Sequence, residues 1–507
     1  MKTPHTLPST TARITATAAA LVLTLLAPPL HAQQPLADDP GVAEALHLLD
    51  TWMDAAQAYE GIPGASLAVV HDQELVWAKG FGFAHVERQE PATPSTMYSI
   101  CSISKLFTAV GVLQLRDHGK VDLDDPVGKH LAWFRIQDEF AEAGAVTVEG
   151  LLTHTSGLPR EAKAPYWTGP DYPFPTHDEI VARLPTQSML YPPRTYYQYS
   201  NLGLTLAGEI VDAASGQTYD DYIRANILEP LGMSSTFTDL EDRFQGNRLA
   251  SGYTARGRDG KRQLVPDYWV RGISPAAGFI STVEDLARFA SWQFRVLDGD
   301  DALLDRNTLR EMHRVHWLEP DGETSYGLGF SVWKSDGDTF VGHGGSCPGY
   351  RSHLLLRPQD RLATAFAANG QGVDARRFAQ MAYDIVAPAL RQAARKRDGE
   401  APAGGVPARA ESGAAQQEAL RRFTGTYERS FGGEFAVLLR DGELHVLSLP
   451  TDDPLEALTR LRHIEDATFR RVRDNGALGE EFVFEARPDG SMRMWRNENY
   501  SLRPAGR

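Results

Sequence analysis

The chain has 507 residues, 42% of them hydrophobic, and carries 51 lysines and arginines against 66 acidic residues, a net charge of −15. That hydrophobic share supports a large core and excludes wholesale disorder, and the length points to more than one domain. The acidic balance argues against nucleic acid or an anionic membrane surface as a partner, since both need basic patches.

At the N-terminus, Lys2 and Arg13 precede the apolar stretch ITATAAALVLTLLAPPL, and LHA stands before QQ. The stretch is too short and too early for a membrane span, so it reads as a signal peptide over 1–32, cleaved after Ala32. An uncleaved N-terminal anchor is the alternative. No cysteine follows this stretch to take a lipid, and no second apolar run approaches spanning length. The expected protein is therefore periplasmic or secreted, with no stable membrane anchor. Export would place the only two cysteines, Cys101 and Cys347, in an oxidising compartment, where a disulfide can persist.

Residues 42–58 have apolar positions at helical spacing. ASLAVV and ELVWAKGFG then read as two strands of a hairpin joined by the polar HDQ. Next comes YSICSISKLFTAVGVLQL, where a helix opens near Ser102 with Phe107, Val110 and Leu113 on one face and Gly119 as its stop. A long middle region rich in Pro, Gly and Trp contains helices such as TVEDLARFASWQF. Strands return at YGLGFSVW, TFVGHGG and SHLLLRP, and a helix over 376–395 closes the block. Residues 396–418 are rich in Ala, Gly and Pro without apolar periodicity, which reads as a linker. Short alternating strands follow, with Asp-Gly turns between them, so 419–507 is expected to be a small all-β, barrel-like domain.

A serine hydroxyl is a poor nucleophile until a base takes its proton. On a helix, a lysine at i+3 lies one turn away on the same face, and desolvation can lower its pKa enough to leave a neutral amine. Ser102 and Lys105 have this relation, whereas Ser99 and Ser104 have no lysine at i+3. Ser102 is also placed at the expected helix N-terminus, where free N–H groups favour developing negative charge. Ser331 and Lys334 match the same spacing, but YGLGFSVWK alternates like a strand, where i and i+3 face opposite ways. Further on, Tyr199 and Asn201 form the chain's only Tyr-x-Asn, just ahead of a helical pattern, and His343-Gly344-Gly345 ends a strand-like run.

The ordered set Ser-x-x-Lys, Tyr-x-Asn and Lys/His-x-Gly resembles the serine β-lactamase and penicillin-binding-protein family. The branch of class C β-lactamases, D-alanyl-D-alanine carboxypeptidases and D-aminopeptidases is the nearest in pattern. LLTHTSGLP at 151–159, LEPLGMSST at 228–236 and GFISTVEDLARF at 278–289 agree with it. The tail beginning FTGTYE resembles the lipocalin-like domain of some members. The resemblance implies an α+β fold over 42–395, an antiparallel sheet flanked by helices plus an all-helical region, with the site between them. It implies Ser102 as nucleophile, Lys105 and Tyr199 as the proton-transfer pair with the base undecided, and Asn201 as a substrate amide contact. His343, Gly345 and Ser346 would line the substrate, with the N–H groups of Ser102 and Ser346 as the oxyanion hole. Cys101 and Cys347 occupy the positions of a disulfide in some class A serine carbapenemases, so a bond between them is implied, with two buried thiols as the alternative.

One departure bears on the substrate. Where penicillin-recognising members carry Lys-Thr/Ser-Gly, this chain has His343-Gly344-Gly345. A histidine is mostly neutral at pH 7 and glycine has no hydroxyl, which disfavours efficient β-lactam turnover. His154 reads as a loop histidine bonded to backbone, and Arg351 either meets a substrate carboxylate or is a solvated edge charge. No zinc spacing, His-Glu-x-x-His or phosphate loop is present, so no metal or cofactor is expected. The expected function is an exported serine hydrolase of small amide or short-peptide substrates or esters. A β-lactamase or carboxypeptidase proper, or a slowly deacylating penicillin- or muropeptide-binding protein, is the alternative.

Overall fold

The computed structural model describes residues 34–244, 248–322, 325–399, 414–430 and 432–506. The signal-peptide segment 1–32 and most of the linker segment lie outside them. Among the described residues no helix is long and apolar enough to cross a membrane.

The first helix, Pro40–Glu60, starts where Asp39 accepts a hydrogen bond from Gly41 N and Pro40 takes the first turn, a position where a missing N–H costs nothing. It ends at Gly61, whose φ of 56° suits a glycine cap. The expected hairpin, Gly64–His71 and Glu74–His85, follows, with Val69 opposite Trp77. The main sheet places Gly64–His71 next to Leu362–Ala368, then Tyr350–Arg357, Asp338–Cys347 and Ser331–Ser335, all antiparallel. Ser331 and Lys334 therefore do lie on a strand and point to opposite faces.

Two buried clusters lie on the two faces of this sheet. Helices Pro40–Glu60 and Ala375–Arg397 cover one face through Trp52, Leu49, Phe378 and Leu390. Helices Ser104–Asp117, Asn201–Ser215 and Val283–Asp298 belong to the cluster on the other. The mixed α+β architecture agrees with the sequence reading.

The C-terminal strands, Gly425–Glu428 to Asn499–Arg503, close into an eight-stranded barrel. Asp441 (φ 50°) and Gly442 (φ 76°) make the tight turn between Glu434–Arg440 and Glu443–Leu449. Phe423, Tyr427, Phe469 and Phe484 are among the side chains that fill the barrel core. On the outside, Ala436, Leu438, Leu447 and Leu449 join the buried cluster of the first helix, and Trp52 Nε1 donates to Thr451 O at 3.0 Å. The segment read as a linker ends differently from expectation. Ala414–Arg421 is a helix, and Leu420, buried in the barrel core, gives it an apolar anchor that composition alone did not reveal.

Candidate active site

The strand Tyr98–Ser99 leads into a single 3₁₀ turn, Cys101–Ile103, and then the helix Ser104–Asp117. Cys101 has a left-handed backbone, φ 52°, a conformation that L-residues adopt at some cost. A disulfide joins it to Cys347 at the end of the strand Asp338–Cys347. Two more contacts tie the sheet to Ile100, the residue before the turn: one from the neighbouring strand Tyr350–Arg357 and one from Asp338–Cys347. Ser352 Oγ donates to Ile100 O at 2.9 Å. Gly345 lies so close to Ile100 that a Cβ there would stand 2.1 Å from its carbonyl oxygen, which explains the glycine. Ser346, next along, is exposed.

Ser102 is half-buried at the start of the turn, with Lys105 Nζ 3.2 Å from its Oγ. Lys105 is fully buried. Its Nζ donates to Asn201 Oδ1 at 2.8 Å and to Ala276 O at 2.7 Å. Burial holds the Lys105 pKa well below the ordinary lysine range; Glu161 opposes the shift and Arg160 adds to it. Tyr199 is raised, chiefly by burial, with its side-chain hydrogen bond with Ser102 and the Arg160 charge acting the other way. Both shifts favour the uncharged forms, an amine and a phenol. The Tyr199 ring has Lys105 Nζ 4.8 Å and the Arg160 guanidinium 4.7 Å from its centroid, and His154 packs 4.3 Å away.

Asn201 is 2% exposed, and its Nδ2 donates to Glu161 Oε1 at 2.6 Å. Its amide thus bridges Lys105 and Glu161 inside the protein. His343 is 4% exposed. Its Nδ1 lies 2.7 Å from Gly344 O, an acceptor only, so Nδ1 carries the proton and Tyr326 OH donates to Nε2 at 2.5 Å. Burial, reinforced by the Lys105 charge, pushes the His343 pKa down to about 3. The ring is neutral at pH 7, as its sequence suggested, and is buried between Tyr326 and the Gly344 carbonyl. His154 accepts from Ser200 N through Nδ1 at 3.1 Å, the backbone-bonded loop histidine expected. Arg351 spends Nη1 on the carbonyls of Tyr350 and Cys347.

Ser102, Lys105, Tyr199, Asn201 and His343 thus converge from three distant segments, with the disulfide and Gly345 bracing the turn that carries Ser102. Sequence reading missed Glu161, Tyr166 and Tyr326. It also missed the carbonyl of Ala276, a backbone group that no residue type announces. A faint signal for Glu161 existed: Arg160 and Glu161 follow directly on LLTHTSGLP, a run that is almost wholly buried. Among the described residues no group of three or more His, Cys, Asp or Glu is arranged to hold a metal.

The family model described as Beta-lactamase matches residues 49–387. Beta-lactamase-like protein 2 of Dictyostelium discoideum is 28% identical over 334 residues, 63% of this chain and 59% of that protein. The Unguisins hydrolase ungD' of Aspergillus campestris is 31% identical over 322 residues, 61% of this chain and 58% of that protein. The chain thus spans about three fifths of the length of these relatives. Among solved structures, the octameric penicillin-binding protein homologue from Pyrococcus abyssi superposes with a TM-score of 0.59 at 26% identity, over 90% of this chain and 99% of that one. D-amino acid amidase from Ochrobactrum anthropi SV3, in its L-phenylalanine amide complex, gives 0.56 at 25% identity, over 70% and 99%.

Proposed function

Because the chain belongs to the beta-lactamase family, we propose that it is an exported serine hydrolase that cleaves small amide or ester substrates through an acyl-enzyme on Ser102. Within the family we assign it to the D-aminopeptidase side of the class C and carboxypeptidase branch, with D-amino-acid peptides or esters as substrates. One observation carries the reading. Lys105 Nζ has two partners that only accept, Asn201 Oδ1 and Ala276 O, and a third in Ser102 Oγ. A neutral amine has two N–H groups and one lone pair, so the lone pair is left for the Ser102 hydroxyl. This favours Lys105 as the base and gives Tyr199, a neutral phenol, the role of proton relay.

In this scheme the Ser102 proton passes to Lys105 Nζ as Oγ attacks the carbonyl carbon. The negative charge on the carbonyl oxygen is received by the N–H groups of Ser102 and Ser346, a contribution of about 3–4 kcal/mol per donor in other serine hydrolases. Tyr199 and Lys105 return the proton to the leaving amine or alcohol, and water then repeats the sequence on the acyl-enzyme. The Cys101–Cys347 disulfide is in keeping with an oxidising compartment and so with export. Two similar proteins are in keeping with this reading: one is named as a hydrolase of unguisins, and one, which points toward amides, as a D-amino acid amidase. The neutral, buried His343 weighs against recognition of a substrate carboxylate by this strand, and so against a β-lactamase or carboxypeptidase proper.

Intact-mass spectrometry after treatment with a fluorophosphonate tests the nucleophile. Ser102→Ala is expected to abolish labelling, while Ser104→Ala and Ser331→Ala retain it; labelling that survives Ser102→Ala refutes the assignment. Parallel turnover of D-alanine p-nitroanilide, p-nitrophenyl acetate and a chromogenic cephalosporin tests the substrate class, with the cephalosporin expected to be the poorest.

A further inference from the structure

We propose that Glu161 is the positioning residue that aims the Lys105 lone pair at Ser102, by locking the side-chain amide of Asn201. The inference rests on the proposed roles of Ser102 and Lys105. Of the two acceptors that occupy the Lys105 N–H groups, Ala276 O is backbone and cannot turn. The other, Asn201 Oδ1, belongs to an amide that can exchange its oxygen and nitrogen by rotating half a turn. Asn201 is 2% exposed, so water does not hold either orientation. Glu161 does. Its Oε1 accepts from Asn201 Nδ2 at 2.6 Å, and a carboxylate has no proton to offer the amide oxygen in the flipped state. Flipped, Asn201 would set Oδ1 against the carboxylate and turn Nδ2–H toward Nζ, where it would compete with Ser102 for the lone pair.

Glu161 is itself held on three sides. Oε2 accepts from the fully buried Tyr166 hydroxyl at 2.5 Å, the Glu161 carbonyl accepts from Gln187 Nε2 at 2.9 Å, and Arg160 Nε lies 3.2 Å from Oε1. The carboxylate also acts on Lys105 through its charge. The groups that influence Lys105 electrostatically are Glu161, which favours the ammonium, and Arg160, which opposes it. The titratable rings around it, Tyr199, His154 and His343, are neutral at pH 7.

Orientation and charge separate in two variants. Glu161→Gln keeps an acceptor for Asn201 Nδ2, since the Tyr166 hydroxyl can reverse to accept from the new amide, but it removes the negative charge. Its plateau rate of Ser102 labelling is expected within about tenfold of wild type, with the acid limb of the pH profile moved to lower pH as the Lys105 ammonium loses its partner. Glu161→Leu removes the lock, and the plateau rate should fall by ~10²-fold, the low end of general-base loss.

The measurement is the rate of fluorophosphonate labelling at Ser102 by intact mass against pH, with circular dichroism to confirm folding. A Glu161→Leu rate equal to wild type overturns the inference, as does an unmoved acid limb in Glu161→Gln. If Glu161→Leu does not fold, the acid limb of Glu161→Gln decides. Absence of Ser102 labelling in the wild type would bring down the acyl-enzyme reading and this inference together, whereas normal wild-type labelling with unaffected variants overturns this inference alone.

Discussion

Gly345→Ala adds one methyl group at a point of close approach between the residues that lead into the Ser102 turn and the neighbouring strand. Its Cβ would stand 2.1 Å from Ile100 O and 2.1 Å from Ser352 Oγ. A carbon–oxygen contact relaxes at about 3.3 Å, so the two backbones must part by roughly 1.2 Å. The backbone of Gly345 is not left-handed, so alanine meets no conformational penalty there and the effect is steric. Ile100 stands two residues before Ser102, and Gly345 one before Ser346, so the displacement falls on both proposed oxyanion donors. The disulfide Cys101–Cys347 prevents the strand from simply peeling away. Overpacking of this kind costs about 1–3 kcal/mol, and a misplacement of about 1 Å costs on the order of 10²-fold in rate. Gly344→Ala is the control, since its Cβ would stand 3.1 Å from the His353 ring and in ordinary contact, 3.8 Å, with Ser352 O. Labelling rate and urea midpoint are measured for both variants. Gly345→Ala should lose stability and about 10²-fold in rate, and Gly344→Ala little of either. A Gly345→Ala protein that acylates at the wild-type rate refutes the claim that this close approach sets the site geometry.

Tyr199→Phe should lower the acylation rate by ~10²–10⁴ while the midpoint of thermal unfolding barely moves, because the ring contact with His154 persists; near-normal acylation removes Tyr199 from the mechanism. Stability should fall as pH drops from about 6.5 toward 3, because burial holds His343 and His353 at about 3 while the unfolded chain takes up their protons near ~6.5. Each contributes up to ~1.4 kcal/mol per pH unit in that window, and urea unfolding at a series of pH values that gives a flat curve contradicts it. Cys347→Ser removes a cross-link between residues 246 apart in sequence, worth about 5.5 kcal/mol at most by the chain-entropy argument. Non-reducing peptide mapping of exported protein should recover the linked pair, and two freely alkylated cysteines would disprove it.

What the sequence alone determined was local. Ser102 and Lys105 could be paired because one helical turn brings i and i+3 together whatever surrounds them, and Ser331 and Lys334 set aside because a strand does the opposite. The Asp441-Gly442 turn and the alternation on either side announced the barrel for the same reason. Tyr199, Asn201 and His343 were found as motifs, yet only the tertiary structure shows what they touch. Asn201 and His343 are both buried, one bonded to Lys105 and Glu161, the other to Tyr326 and Gly344. Glu161 and the Ala276 carbonyl entered the site unannounced. Burial and partnership arise where segments distant in sequence pack together, and a backbone carbonyl carries no residue identity at all. The spacing of side chains along one helix is written in the sequence, but the direction of a lysine's lone pair is set by acceptors 96 and 171 residues away.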